Sequence, residues 1–176
     1  LSHEVGHTLS LMHNMAGSSS IPVESLRDPK FTQEYGTTYS IMDYARNNYI
    51  AQPGDKEKGV RMTPPELGAY DYYAISWLYK PIFEAKTSEE EIPILDKWIS
   101  EKSGDPKYRY GKQQFKRRFD PSSVEEDLGD DPVKASEYGR RNLQYILKHI
   151  NEWVADKDKD FEFRSALYDE IVYGYV

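Results

Sequence analysis

The chain has 176 residues, 38% hydrophobic and 30% charged, with 15 tyrosines and a net charge of −7. That suits one domain with a buried core rather than a disordered tail, and no apolar run approaches the roughly 20 residues of a membrane-spanning helix. The acidic balance disfavours nucleic acid as a partner, and the absence of cysteine removes disulfides, thiolate metal sites and thiol nucleophiles.

In chain order, residues 1–12 read as a helix, with Val5, Leu9 and Met12 on one face. Asn14 to Ser20 reads as a loop around Gly17 and three serines. Residues 21–41 read as irregular, because Pro22, Pro29 and Gly36 interrupt every periodic pattern. Ser40 to Tyr44 suits a tight turn, and Asn47 to Gly59 a loop turning at Pro53-Gly54-Asp55. Thr63-Pro64-Pro65-Glu66 has the form of a helix start, with Thr63 as cap, Pro64 in the first turn and Glu66 closing a capping box. That helix is expected to run to about Tyr79 and to bury Leu67, Tyr70, Ala74, Trp77 and Leu78.

Residues 88–102 read as another helix, opened by Glu89-Glu90-Glu91, with Ser88 or Pro93 marking its first turn. Gly104 to Pro132 is rich in charge, Gly and Pro and reads as a linker or long loop; its basic run, Lys112 to Arg118, reads as a solvated face. Asp131-Pro132 opens the longest helix, to about Ala155, with Leu143, Ile146, Leu147, Ile150, Trp153 and Val154 as its stripe. A last helix covers about 161–173. Asp156-x-Asp158-x-Asp160 is not a calcium loop, since Phe161 stands where glycine is needed and Leu167 where the closing acid belongs. The fold class is mainly α, with the chemistry in the first 45 residues and a helical scaffold behind it.

That chemistry is carried by His3-Glu4-Val5-Gly6-His7 and His13. His3 and His7, four residues apart, project from one helix face so that a single ion can accept both nitrogens at roughly 2.0–2.1 Å. Glu4 lies about 100° around the helix from His3, beside the ion rather than aimed at it, as suits a general base acting on a metal-activated water. His13 reaches the same ion only if the chain breaks and turns after residue 9 or 10. Three nitrogens and one open position make a catalytic zinc site, and the predicted reaction is peptide-bond hydrolysis without a covalent intermediate. Three of the four histidines fall in this window, and the fourth, His149, reads as structural in the distal helix.

His3-Glu4-x-x-His7-x-x-Ser10-x-x-His13 resembles the metzincin zinc-peptidase signature, HExxHxxGxxH. Ser40-Ile41-Met42-Asp43-Tyr44 resembles that group's methionine turn, which implies that Met42 floors the ligand histidines without binding the ion. The resemblance further implies a role for Tyr44, on the metal or on the transition state; an ordinary packed tyrosine is the alternative. The chain is also similar to large exported bacterial zinc-dependent metallopeptidases, through residues 3–14, Tyr35-Gly36-Thr37-Thr38, Ala51-Gln52-Pro53-Gly54-Asp55 and Glu126-Asp127-Leu128-Gly129-Asp130-Asp131. It departs at Ser10, where the signature has glycine. A left-handed serine costs on the order of 1–2 kcal/mol, which the turn either tolerates or answers by loosening the site.

Only Leu1 and Ser2 precede the first ligand, whereas a ligand-bearing helix normally has earlier turns to anchor it. The chain is therefore expected to be a single-domain C-terminal fragment, 1–176, of a longer parent. Residues 1–60 would hold the zinc-site helix, loops and methionine turn, and residues 61–176 the helical scaffold. Together they would form the lower (C-terminal) subdomain of a metzincin-like zincin, with the missing N-terminal part supplying the upper wall of the cleft. The expected function is a zinc-dependent endopeptidase acting on a polypeptide, with Zn2+ on His3, His7 and His13, Glu4 as base, and an exported location implied by the resemblance. The rival is a non-catalytic metal-binding or scaffold domain derived from a metallopeptidase.

Overall fold

In the computed structural model, which describes residues 1–63, 66–155 and 160–175, the opening helix α1 spans Ser2–Thr8. It ends earlier than its apolar spacing predicts. The Ser10 N–H donates to the His7 carbonyl and the Leu11 N–H to the Gly6 carbonyl, both at 3.0 Å, while Ser10 takes φ 63. This double bond pattern around a left-handed residue is a Schellman cap. The break falls where the third histidine requires it, and serine accepts the conformation.

Two segments expected to be irregular contain helices. Ala16–Ser19 forms a short helix, α2, in place of a loop. Val23–Arg27 is a 3-10 turn, and Pro29–Tyr35 forms α3, with Pro29 in its first turn and the Asp28 carboxylate accepting from the Lys30 and Phe31 N–H groups. Pro29 starts a helix rather than interrupting one.

The next helix, α4, spans Ala69–Tyr79, later than Thr63-Pro64-Pro65-Glu66 predicts; Pro64 and Pro65 lie outside the described residues. Its N-cap is Gly68, and the capping carboxylate is Asp71, which accepts the Gly68 N–H at 2.7 Å. Gly68 sits so close to the Tyr39 carbonyl that a Cβ there would lie 2.0 Å from its oxygen. The start of α4 is set by that tertiary approach. Of the predicted stripe, Ala74 is buried while Leu67 and Leu78 are exposed.

Helix α5 spans Ser88–Lys102 with Thr87 as its cap and Pro93 inside it. Helix α6 spans Pro132–Trp153, capped by the Asp131 carboxylate on the Lys134 N–H. It packs against α7, Glu162–Tyr175. Ile150 and Val154 of its stripe are buried, while Leu147 and Trp153 stay exposed. His149 bonds the Tyr145 carbonyl at 2.8 Å and packs its ring against Tyr145 and Trp153. Asp156 and Asp158 lie outside the described residues.

No strand occurs among the described residues, and none of their helices is long and apolar enough to cross a membrane. Among the described residues, two apolar clusters hold the chain together. One joins Ile21, Leu26, Tyr39 and Ile50 to Leu128, Ala135 and Tyr138. The other joins Leu11 and Met42 to Ala74, so α4 packs directly behind the histidine motif.

Candidate metal centre

Helix α1 presents His3 and His7 one turn apart, and the cap at Ser10 swings His13 back to them. One ring nitrogen of each histidine lies within 4.8 Å of one from each of the others. The His7 and His13 Nε2 atoms are 3.1 Å apart, close to the roughly 3.3 Å separating two nitrogens held tetrahedrally at 2.0–2.1 Å.

All three Nδ1 atoms are engaged. His3 Nδ1 donates to the Ile41 carbonyl at 2.7 Å and His7 Nδ1 to the Leu11 carbonyl at 2.9 Å. His13 Nδ1 meets Gln113 Oε1, and Gln113 Nε2 donates to the Glu125 carboxylate. Because a carboxylate only accepts, Glu125 sets the orientation of the Gln113 amide and turns its oxygen to His13. Protonated Nδ1 atoms leave Nε2 as a lone pair on each ring. Two such lone pairs 3.1 Å apart repel unless a cation or proton lies between them, and a neutral histidine with its second nitrogen anchored is the form that binds zinc. The donor set fits the metal.

Met42, expected as the floor of the site, is fully buried against Gly6 of α1, in a turn at residues 41–43. This turn is held by a residue that sequence reasoning missed. The Asp71 carboxylate accepts the Ser40 hydroxyl at 2.8 Å, the Ile41 N–H at 2.8 Å and the Gly68 N–H at 2.7 Å. Burial pushes the Asp71 carboxyl above its ordinary range, and these donors offset only part of that cost. Ile41 is thus gripped through its N–H by Asp71 while its carbonyl orients His3.

Tyr44 Oη lies 3.0 Å from His13 Nε2, its ring stacks on His3, and the Arg46 guanidinium covers it at 5.6 Å. Glu4 is exposed and shares a pocket of about 370 Å³ with His3 and Tyr44. Between Met42 and Tyr44, Asp43 turns inward. Its Oδ2 accepts the Ser18 N–H at 2.7 Å, and the Ser18 hydroxyl donates to Asp127 at 3.1 Å. Burial raises Asp43 to about 6; burial, then the neighbouring Asp43 charge, raises Asp127 to about 7.

Residues 104–132, expected as a linker or long loop, are largely a long loop, part of which packs against the centre. Asn14, next to His13, donates to the Arg109 carbonyl and accepts the Gly111 N–H, both at 2.9 Å. The Gly111 carbonyl accepts the Met15 N–H at 2.7 Å. The bonds of Asp71 to Ser40 and Ile41, of Asn14 to Arg109 and of Gln113 to His13 carry no spacing signal, because the partners lie 30 to 100 residues apart.

No curated protein and no solved structure matches this chain. A family model described as Met-zincin matches residues 1–176. With three histidine nitrogens converging over a buried methionine, and the family's pattern running through all 176 residues, the chain belongs to the Met-zincin family.

Proposed function

We propose that this centre is a zinc-dependent endopeptidase site, with His3, His7 and His13 holding the metal through Nε2. The observation that carries the reading is the convergence of three histidines whose Nδ1 atoms are all engaged elsewhere. When bound, zinc supplies a Lewis acid that polarises a carbonyl and acidifies water. Glu4, one residue from His3 and exposed in the shared pocket, accepts the proton of the attacking water and passes it to the leaving amine. Tyr44 carries its hydroxyl at the edge of the histidine cluster and donates to the oxyanion as it forms.

The second reading, a metal-binding domain without turnover, rests on the Tyr44 hydroxyl. It donates to His13 Nε2 and so competes for a ligand lone pair. Zinc content and hydrolysis of a labelled unfolded protein are measured on the zinc-loaded full-length protein and its Glu4→Ala form. One zinc per chain with hydrolysis lost in Glu4→Ala supports the peptidase. Zinc with no hydrolysis in either form supports the second reading, and equal hydrolysis in both removes Glu4 as the base.

A further inference from the structure

The strongest positive feature in this acidic chain is a basic run that includes Gln113, the residue bonded to His13. Residues 112–118 carry Lys112, Lys116, Arg117 and Arg118, with Phe115 and Phe119 interleaved. Phe115 is 79% exposed and Phe119 80% exposed, so neither contributes to a core. Arg118 is paired with Glu125 at 3.2 Å, whereas Lys112, Lys116 and Arg117 have no ionic partner among the described residues. Asp120, the acid at the loop's base, is tied to Ser122 at 2.6 Å.

The loop is anchored at its stem. The Gln114 amide donates to the Asp120 and Ser123 carbonyls, at 2.8 and 3.0 Å, and accepts the Phe119 and Asp120 N–H groups at 2.8 and 3.0 Å. One residue earlier, Gln113 holds His13, and Glu125 receives both Gln113 and Arg118. A pinned loop therefore presents two bare phenyl rings and three cations without an ionic partner among the described residues, and its stem residue Gln113 bonds the third histidine. Leaving two large aromatics in water is costly, and a cluster of like charges attracts the opposite sign.

We infer that this loop is a substrate-docking element that selects acidic polypeptide segments bearing apolar side chains. The inference rests on the proposed peptidase reading, which it deepens by naming the substrate class. The cations meet carboxylates while the phenyl rings cover aliphatic side chains, giving selectivity and faster encounter rather than chemistry. An anionic membrane would satisfy the same groups, but the loop's stem is tied through Gln113 to His13, which suits a polypeptide led toward the histidine cluster.

The test uses the full zinc-loaded chain carrying Glu4→Gln, so that peptides are not consumed. Two labelled peptides, one alternating Glu and Leu and one alternating Lys and Leu, are titrated by fluorescence anisotropy. The acidic peptide is expected to bind about tenfold more tightly at low salt, with the difference shrinking as salt rises. Lys112→Glu, Lys116→Glu and Arg117→Glu together abolish or invert the preference, and Phe115→Ser with Phe119→Ser weakens both peptides. All five positions are exposed, so circular dichroism should stay unchanged. No difference between the peptides, or a preference that survives the charge reversal, overturns the inference. So does charge reversal that abolishes binding to phosphatidylserine vesicles and spares the peptide preference. Selective binding without hydrolysis by the Glu4 form would remove the peptidase reading alone, whereas hydrolysis without selectivity would remove the docking loop alone.

Discussion

The Met42 thioether packs directly on the α-carbon of Gly6, so closely that a Cβ at position 6 would stand 2.3 Å from its sulfur. In a free helix Gly→Ala adds about 1 kcal/mol of stability. Here the sign reverses, because the methyl must displace a buried side chain. Gly6→Ala is expected to cost about 1–3 kcal/mol and to weaken zinc binding by pushing α1 off its floor. Thermal melts with and without zinc read both effects, and an unchanged or raised Tm without metal would separate Met42 from the helix.

Ser10 offers the opposite experiment. Its left-handed φ of 63 costs about 1–2 kcal/mol that glycine does not pay, offset in part by the greater freedom of glycine in the unfolded chain. Ser10→Gly should raise stability by about 0.5–1 kcal/mol. Urea unfolding of the metal-free protein measures it, and a loss of stability would mean that the serine makes an interaction outweighing its strain.

Gln113 would act on a bound metal through His13. Gln113→Ala leaves that imidazole free to rotate and to choose either tautomer, and outer partners of this kind are worth about 10–100-fold in affinity. Competition with a chromogenic chelator should show zinc binding weakened by that factor, with Glu125→Ala producing a smaller loss. Unchanged affinity in both would limit the relay from Glu125 to holding the loop.

The Asp43–Asp127 pair predicts a pH dependence. Both carboxyls are raised from 3.8, to about 6 and about 7, so between about pH 4 and pH 7 the folded chain binds more protons than the unfolded chain. Their contribution to stability is complete below pH 4, falls as pH rises toward 7, and is flat above it. Asp127→Asn mimics the protonated form. Its urea midpoint relative to wild type should therefore be higher at pH 8 than at pH 5, and the same difference at both pH values would refute the coupling.

The parts of the site legible in the sequence are those set by helix geometry. His3, Glu4 and His7 follow from a four-residue spacing, and the bend before His13 follows from its being six residues on. The strained Ser10 is where the break was anticipated. Illegible parts depend on distant chain meeting the site. Asp71 matters because α4 is carried against residues 39–41, and that packing, not Thr63, decides where the helix begins. Residues 104–132 lack periodicity because side-chain amides and carboxylates hold them, and such bonds leave no rhythm in the sequence. Helix α3 was readable in principle, since Asp28-Pro29 is the same start signal as Asp131-Pro132, but seven residues are too few for a stripe to show.

Asn14, the residue after His13, bonds Arg109 and Gly111 of a segment about a hundred residues downstream, which makes the centre a reporter of assembly. Helix α1 alone can offer two imidazoles and hold an ion only loosely. The third is presented once a stretch about a hundred residues downstream has docked. Tight retention of a metal would therefore select chains that have finished folding and stabilise them in turn by mass action, so a bound ion would act as a checkpoint on the folding of this chain.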